Sequence, residues 1–278
     1  MSTAREYQFT RRDFEYLRRV SNQHTGIVVT EDKFDMFYAR LARRVRALGL
    51  KSFADYCSYL EAPHNANEIT ELVNAVTTNL TSFFRENHHF EFLVKTALPE
   101  AIARNRATRT LKIWSAGCST GEEPYSIAMV LAEQQAMLLG WDVELTATDI
   151  DSNVLAQAAA GIYPVSRVEG LAASRLKRFF QKGRRRQQGK ARVRCELRRT
   201  IRFDQLNLMQ PLALERQDII FCRNVIIYFD KPTKTMLMDR FADLLADDGY
   251  LIIGHSESLY QVTDRFELIG HTVYRKKR

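Results

Sequence analysis

Apolar residues recur at helical spacing through the first seventy or so residues of the chain. Thr10 and Asp13 form a capping-box pattern ahead of Phe14, Leu17 and Val20, which predicts a first helix. Phe34, Phe37, Leu41, Val45 and Leu48 make one stripe, and Gly49 is a natural stop. Ser52 and Asp55 start a third helix carrying Phe53, Tyr56 and Leu60. After Pro63 a fourth holds Ile69, Leu72, Val73 and Val76. Short helices of this kind predict a small bundle.

The period changes after Asn79. Leu111–Ser115 and Val143–Thr148 read as strands, with the turn-rich Ala116–Gly121 and a helix bearing Ile127, Val130 and Leu131 between them. Val154–Ala160 is helical and Asp218–Cys222 is a buried strand. Lys231–Ala246 is a helix with Asp230 as cap and Pro232 in its first turn. Asp247–Gly249 turns into a strand at Tyr250–Gly254, and Thr272–Arg275 is the last strand. Strands alternating with helices predict an α/β fold with a mostly parallel sheet. Between Ile162 and Asp204 the alternation breaks. Arg192–Leu197 and Thr200–Phe203 read there as antiparallel strands of an inserted β-subdomain, placed at about residues 175–204. The expected domains are therefore 1–77, all helical, and 78–278, α/β with this insert.

Composition is that of a globular chain, with no apolar run long enough to span a bilayer. Met1–Glu6 has no apolar signal core, and Cys57, Cys118, Cys195 and Cys222 are widely spaced with no C-x-x-C pair. A reduced, cytoplasmic setting without a structural metal is expected. The net charge of +8 favours an acidic partner without choosing between nucleic acid, membrane and protein.

Ser115–Ser126, S-A-G-C-S-T-G-E-E-P-Y-S, places a glycine turn between a strand and a helix. Such a turn brings backbone close to a ligand and aims free N–H groups at it. It is neither G-x-G-x-x-G nor G-K-[ST], and Glu122 and Glu123 would repel a phosphate. A carboxylate suits a ligand carrying an ammonium group. Asp149, at the end of the second strand, is placed to accept both hydroxyls of a ribose, although alone it also reads as a helix N-cap. Together these features point to a ribonucleoside without phosphates, of which S-adenosylmethionine is the fitting example.

These residues resemble the chemotaxis protein-glutamate O-methyltransferase family, CheR. The resemblance is carried by Thr78–Glu86 (T-N-L-T-S-F-F-R-E), Trp114–Ser126, Thr148–Asp151 (T-D-I-D), Asn207-Leu208, Phe221–Asp230 (F-C-R-N-V-I-I-Y-F-D) and Gly254–Glu257 (G-H-S-E), in family order. It implies a helical amino-terminal domain and a Rossmann-like methyltransferase domain with an inserted antiparallel β-subdomain. It implies methyl transfer from S-adenosylmethionine to glutamates on the cytoplasmic helices of chemoreceptors, leaving S-adenosylhomocysteine. Carried onto matching positions, cofactor contacts fall on Asn79, Thr81, Arg85, Glu123, Asp149, Asn207, Leu208, Arg223 and Asn224, with Glu122 an alternative to Glu123.

An ionised glutamate is already a nucleophile at neutral pH, so no general base is expected. Arg85 and Tyr228 are the candidate catalytic residues, a guanidinium that can fix a carboxylate and a phenol at a strand end. His255 reads as structural, and Phe83 and Phe84 as packing. Two basic surfaces are candidates for the receptor. One is Arg40, Arg43, Arg44 and Arg46 on the second helix. The other is Arg175–Arg202, where Glu196 is the sole acid; in some family members this subdomain adds a strand from a receptor's carboxy-terminal peptide. A nucleic-acid methyltransferase and a non-catalytic cofactor-binding module are the rival readings. No base pocket or stacking ladder favours the former.

Overall fold

The computed structural model describes residues 5–277. Met1–Ala4, most of the stretch read as lacking a signal core, and Arg278 lie outside the described residues.

Helices α1 (Arg11–Thr25), α2 (Phe34–Ala47), α3 (Phe53–Glu61) and α4 (Ala66–Val76) form the bundle. Thr10 and Asp13 cap α1 reciprocally, and Ser52 accepts the Asp55 N–H to start α3. Gly49, at φ +67°, donates back to the Arg46 carbonyl and ends α2. The stripes meet in one core of Phe14, Leu17, Phe37, Leu41, Val45, Phe53, Tyr56 and Leu72.

The α2 arginines depart from the expected docking face. Arg40 donates to the Val76 and Thr77 carbonyls at 2.6 and 2.7 Å, pinning the exit of α4. Arg44 pairs with the buried Glu68 at 2.6 Å and with Glu71 at 3.1 Å, and Arg46 pairs with Glu6. Arg43 alone of the four is exposed without a carboxylate partner among the described residues. The stripe is largely neutralised within the bundle itself.

A helical run follows, α5 (His88–Phe92) and α6 (Leu98–Arg104), joined by a π-turn at Leu93–Ala97. Pro99 has no N–H to continue the ladder, which accounts for the widened turn before it. The main sheet contains β1 (Thr110–Ala116), β2 (Asp142–Asp149), β6 (Ile201–Gln205), β7 (Gln217–Cys222), β8 (Leu245–Ile253), β9 (Phe266–Gly270) and β10 (Val273–Lys276). Its order is β6-β2-β1-β7-β8-β10-β9, with only β10 antiparallel to its neighbours. Alternate residues of β1 serve opposite faces. Leu111 and Ile113 pack in the core shared with α5, α6 and α7 (Glu122–Glu133), while Trp114 and Ala116 pack in the core holding α11 (Lys231–Leu244). Helix α8 (Ser152–Ala160) follows β2. Because the chain leaves β1 toward β2 and later returns on its other side as β7, the strand order reverses beside β1. The crevice above such a reversal is where open parallel sheets bind ligands.

The insert is a three-stranded antiparallel sheet, β3-β5-β4, made by β3 (Ile162–Pro164), β4 (Phe180–Lys182) and β5 (Lys190–Val193). Helix α9 (Ala173–Phe179) lies between its first two strands. Its limits correct the expectation of 175–204. The subdomain starts at β3, Arg192–Leu197 splits into the end of β5 and the short helix α10 (Cys195–Arg198), and Thr200–Phe203 belongs to β6. That strand runs parallel to β2 at the edge of the main sheet. The expected turn at Asp247–Gly249 is absorbed into β8, which begins at Leu245 and pairs irregularly with β7.

Candidate active site

The strand β1 ends in the glycine turn. Gly117 sits at φ +79°, and a Cβ there would lie 2.4 Å from Val225 Cγ2. Its N–H and that of Cys118 donate to the Thr148 carbonyl, which ties the turn to β2. Asp149, the last residue of β2, accepts the Ser119 N–H at 2.8 Å on one oxygen and the Asp151 N–H at 3.0 Å on the other. Burial raises its pKa, and the N–H donors oppose that shift. The cap of α8 is Asp151, which accepts the Asn153 and Val154 N–H groups. Asp149 is therefore not spent on capping. Each of its oxygens keeps a lone pair for a further donor.

The two glutamates separate cleanly. Glu123 accepts the Ser115 hydroxyl at 2.7 Å, pairs with Arg223 at 3.0 Å and lines the cleft. Glu122 accepts from Thr120 at 2.6 Å and points toward Arg167 of the insert, 3.7 Å away. The cleft acid is thus Glu123. Its own burial raises its pKa, and the Arg223 charge pulls it back.

The cleft is lined by all ten residues named from the sequence: Asn79, Thr81, Arg85, Glu123, Asp149, Asn207, Leu208, Arg223, Asn224 and Tyr228. Their placements differ. Arg85 bonds the Leu80 carbonyl at 3.0 Å through Nη1, lies 3.8 Å from Glu86 through Nε and is one-third exposed, so its second terminal nitrogen keeps donors for a ligand. Arg223 is buried between Glu123 and Glu86. The Asn79 amide donates to Asp151 at 2.8 Å, so that side chain is already engaged. Asn207 likewise ties inward. Its amide donates to the His24 carbonyl at the end of α1 at 2.6 Å, and its oxygen accepts the Met209 N–H at 2.9 Å. Tyr228 stands in a single 3-10 turn, and its carbonyl accepts the Val28 N–H at 2.8 Å. Ile27 bridges to Phe229, so the helical domain closes one wall of the cleft with Thr25 and Ile27.

Three participants carried no assigned role in the sequence. Glu86 accepts from His255 Nδ1 at 2.7 Å, faces Arg223 at 3.2 Å and lies 3.4 Å from His89 Nδ1. Burial pushes its pKa up, but the His255 hydrogen bond and the Arg223 charge outweigh this and hold it at about 2. Asp151 joins Thr77 and Asn79 to the end of β2. Glu257 accepts the N–H groups of Gly254, Asn224 and Ile227, fixing the loop that carries Tyr228. Asn224, at φ +60°, packs its amide where a Cβ on Gly254 would stand. Glu86 and Glu257 lie inside the quoted segments T-N-L-T-S-F-F-R-E and G-H-S-E, so the signal was present without a role attached. His255, by contrast, has the supporting place expected for it.

Gly117 provides a cradle that a side chain would fill, and two buried carboxylates face the space beside it. The residues fit a cationic nucleoside and disfavour a phosphate. A sheet of this order with such a cleft defines the class, an S-adenosylmethionine-dependent methyltransferase. Comparison with known proteins narrows the class. Residues 79–275 match the family described as "CheR methyltransferase, SAM binding domain", and residues 12–77 match "CheR methyltransferase, all-alpha domain". The chain is 44% identical over 274 residues to chemotaxis protein methyltransferase 2 of Pseudomonas aeruginosa, covering 97% of this chain and 94% of that one. It is 45% identical to the chemotaxis protein methyltransferase of Salmonella typhimurium over 94% of this chain and 88% of that one. The Escherichia coli protein of that name is 43% identical over 93% of this chain and 90% of its own length. The chain belongs to the CheR methyltransferase family. It is a protein-glutamate O-methyltransferase that uses S-adenosylmethionine and acts on chemoreceptors. No described helix is long and apolar enough to cross a membrane.

Proposed function

We propose that the cleft divides into a cofactor side and an acceptor side. The observation that carries this division is the contrast between buried, paired charges on one side and a half-free cation on the other. On the cofactor side Asp149 receives the ribose hydroxyls and Glu123 faces the ammonium group. Arg223, locked between Glu123 and Glu86, opposes the rise that burial gives the Glu123 pKa. The segment Asn207-Leu208 borders the base; with the Asn207 side chain tied to His24, its backbone is the part available for contact. On the acceptor side Arg85 holds the incoming carboxylate and Tyr228 orients it.

When bound, S-adenosylmethionine supplies a methyl group on a positively charged sulfur. A glutamate side chain, with an unperturbed pKa of about 4.3, is ionised at neutral pH and needs no proton removed. Held by Asp149 and Glu123, the cofactor would give up that methyl group to the carboxylate oxygen, leaving a methyl ester and S-adenosylhomocysteine. What the protein contributes is alignment of the two reactants and exclusion of water from the carboxylate. Arg85 contributes most if it fixes the carboxylate without neutralising its nucleophilicity, which a single partly exposed guanidinium does.

Docking draws on two regions. On the helical unit, residues 1–77, Arg43 is the α2 arginine left to meet an acidic helical bundle. In the insert, Arg175 is paired to Glu133, while Lys182, Arg184, Arg185, Arg186 and Lys190 form no ion pair among the described residues. An extended, acidic receptor tail adding to an edge of the β3-β5-β4 sheet would meet these charges. Acceptors on cytoplasmic receptor helices place the protein in the cytoplasm.

The test is transfer of a tritiated methyl group to receptor fragments with and without their tails. Base-labile label on receptor protein supports the reading, as does its loss in Arg85→Ala. Label in nucleic acid, or binding that is unchanged when the tail is removed, refutes the acceptor or the tail contact respectively.

A further inference from the structure

Arg85 is flanked by two residues in the left-handed region, Phe84 at φ +53° and Glu86 at φ +57°. Bulky residues avoid that region, and they stay there only when their surroundings hold them. Glu86 is held by Arg223 and His255. Phe84 is held by a different set. Its N–H donates to Ser126 Oγ at 2.9 Å, its ring packs against Phe90 at 5.1 Å, and the Arg175 guanidinium lies 3.9 Å from its centroid. Arg175 belongs to α9 of the insert and does not line the cleft. Its guanidinium is itself fixed by two hydrogen bonds, both 2.8 Å, to Glu133 at the end of α7. Ser126 and Glu133 thus secure Phe84 from the same helix that carries Glu123. Arg85, whose guanidinium bonds the Leu80 carbonyl at 3.0 Å and lies 3.8 Å from Glu86, follows directly in the chain.

We propose that Arg175 is a positioning residue for methyl transfer, acting through Phe84 to set where Arg85 stands relative to Glu123. This rests on the reading of Arg85 as the acceptor-side cation. A cation held 3.9 Å from a ring centroid by a bidentate carboxylate adds a directed restraint to the apolar packing of that ring. Freed of it, the Phe84 backbone relaxes and Arg85 moves with it. Small displacements of a group that aligns reactants cost rate rather than binding.

The experiment is a double-mutant cycle on the full chain, reading kcat and the KM for S-adenosylmethionine in methyl transfer to a receptor fragment. Arg175→Ala is expected to lower kcat by about tenfold while leaving that KM within about twofold. Arg175→Lys keeps a cation over the ring and is expected to recover most of the loss. In an Arg85→Ala background, Arg175→Ala is expected to have no further effect, because its only route to the reaction is gone. Glu133→Gln frees Arg175 without touching Phe84 and is expected to give a smaller loss with the same dependence on Arg85. It also serves where Arg175→Ala does not fold. A role in stability alone would lower the unfolding midpoint and act equally in both backgrounds. A silent Arg85→Ala overturns the reading of Arg85 and this inference with it. A damaging Arg85→Ala on which Arg175→Ala adds its full effect overturns the positioning alone.

Discussion

Replacing Asp149 by alanine separates the ligand role of this carboxylate from its structural one. In the free protein it accepts two buried backbone N–H groups, from Ser119 and Asp151. Left without an acceptor, each costs about 1–3 kcal/mol, so the variant is destabilised by about 2–6 kcal/mol before any ligand is added. Cofactor binding is lost on top of this. Two ribose hydroxyls on a charged acceptor contribute about 3 kcal/mol together, which is about a hundredfold in Kd. The assay is thermal unfolding with and without S-adenosylhomocysteine at about one hundred times the wild-type Kd, where ligand stabilises the native state by about 2.7 kcal/mol. After a hundredfold loss the same concentration stabilises the variant by only about 0.4 kcal/mol. A ligand-induced rise of about 5–10 °C therefore shrinks to about 1 °C. Asp149→Asn keeps one acceptor oxygen and should fall between the two. An Asp149→Ala protein of lowered stability whose ligand-induced rise matches wild type would refute the ribose assignment and leave Asp149 a turn-fixing residue only.

Gly117→Ala combines a left-handed φ with a Cβ 2.4 Å from Val225, and should abolish measurable cofactor binding in equilibrium dialysis while far-ultraviolet circular dichroism stays native. Arg43→Glu should weaken receptor binding several-fold with no change in unfolding midpoint. Arg44→Glu should instead destabilise the bundle by about 3 kcal/mol, because it strands the buried Glu68; equal effects of the two would contradict the distinction between them. His89, fully buried, has its pKa driven down to about 4 by burial and by the nearby Arg223 charge. The neutral form is favoured by folding, so the contribution is intact above the unfolded value of about 6.5 and is lost as pH falls toward 4, by about 3 kcal/mol. Urea unfolding at pH 7 and pH 4.5 should show a smaller drop for His89→Gln than for wild type. The Glu86 carboxylate works over the next window, stabilising above about pH 4.5 and failing as pH falls toward 2.

Features set by neighbours in the chain were legible before the structure. The capping box at Thr10–Asp13, the stop at Gly49 and the strand–glycine–helix turn at Gly117–Gly121 each depend on a few adjacent residues, and each appears as read. Features set by rotation or by distant partners were not. Glu122 and Glu123 are consecutive on a helix, so they point about 100° apart, and which one meets the cleft depends on how α7 docks. The β6 strand alternates Ile201 and Phe203 with Arg202 and Asp204. That alternation fits the edge of a parallel sheet as well as a hairpin of the insert, and only the pairing with β2 decides. The α2 arginines looked like a free surface because their acceptors lie on α4 and near the amino terminus, about 25 to 40 positions away in the chain. Asp149 and the Glu122–Glu123 pair were read from the strand–turn–helix pattern, and the other cleft residues came from the family resemblance. The structure adds that the side chains of Asn79 and Asn207 are engaged in holding domains together.

The division of the cleft has a consequence for how acceptors are told apart. Its cofactor side recognises a complete nucleoside through buried groups, and so can be demanding. On the proposed division its acceptor side offers one guanidinium and one phenol, which can align any carboxylate that reaches them. Discrimination among glutamates is a difference of affinities, and such a side carries little of it. The proposal therefore assigns it to larger surfaces, at Arg43 on the bundle and at the arginines and lysines of the insert that form no ion pair among the described residues. The insert then has two tasks that its construction joins. Its outer charges favour an acidic partner, and on its inner side Arg175 braces Phe84 beside Arg85. On this proposal, part of the selection of the acceptor and the alignment of its carboxylate meet in one small subdomain.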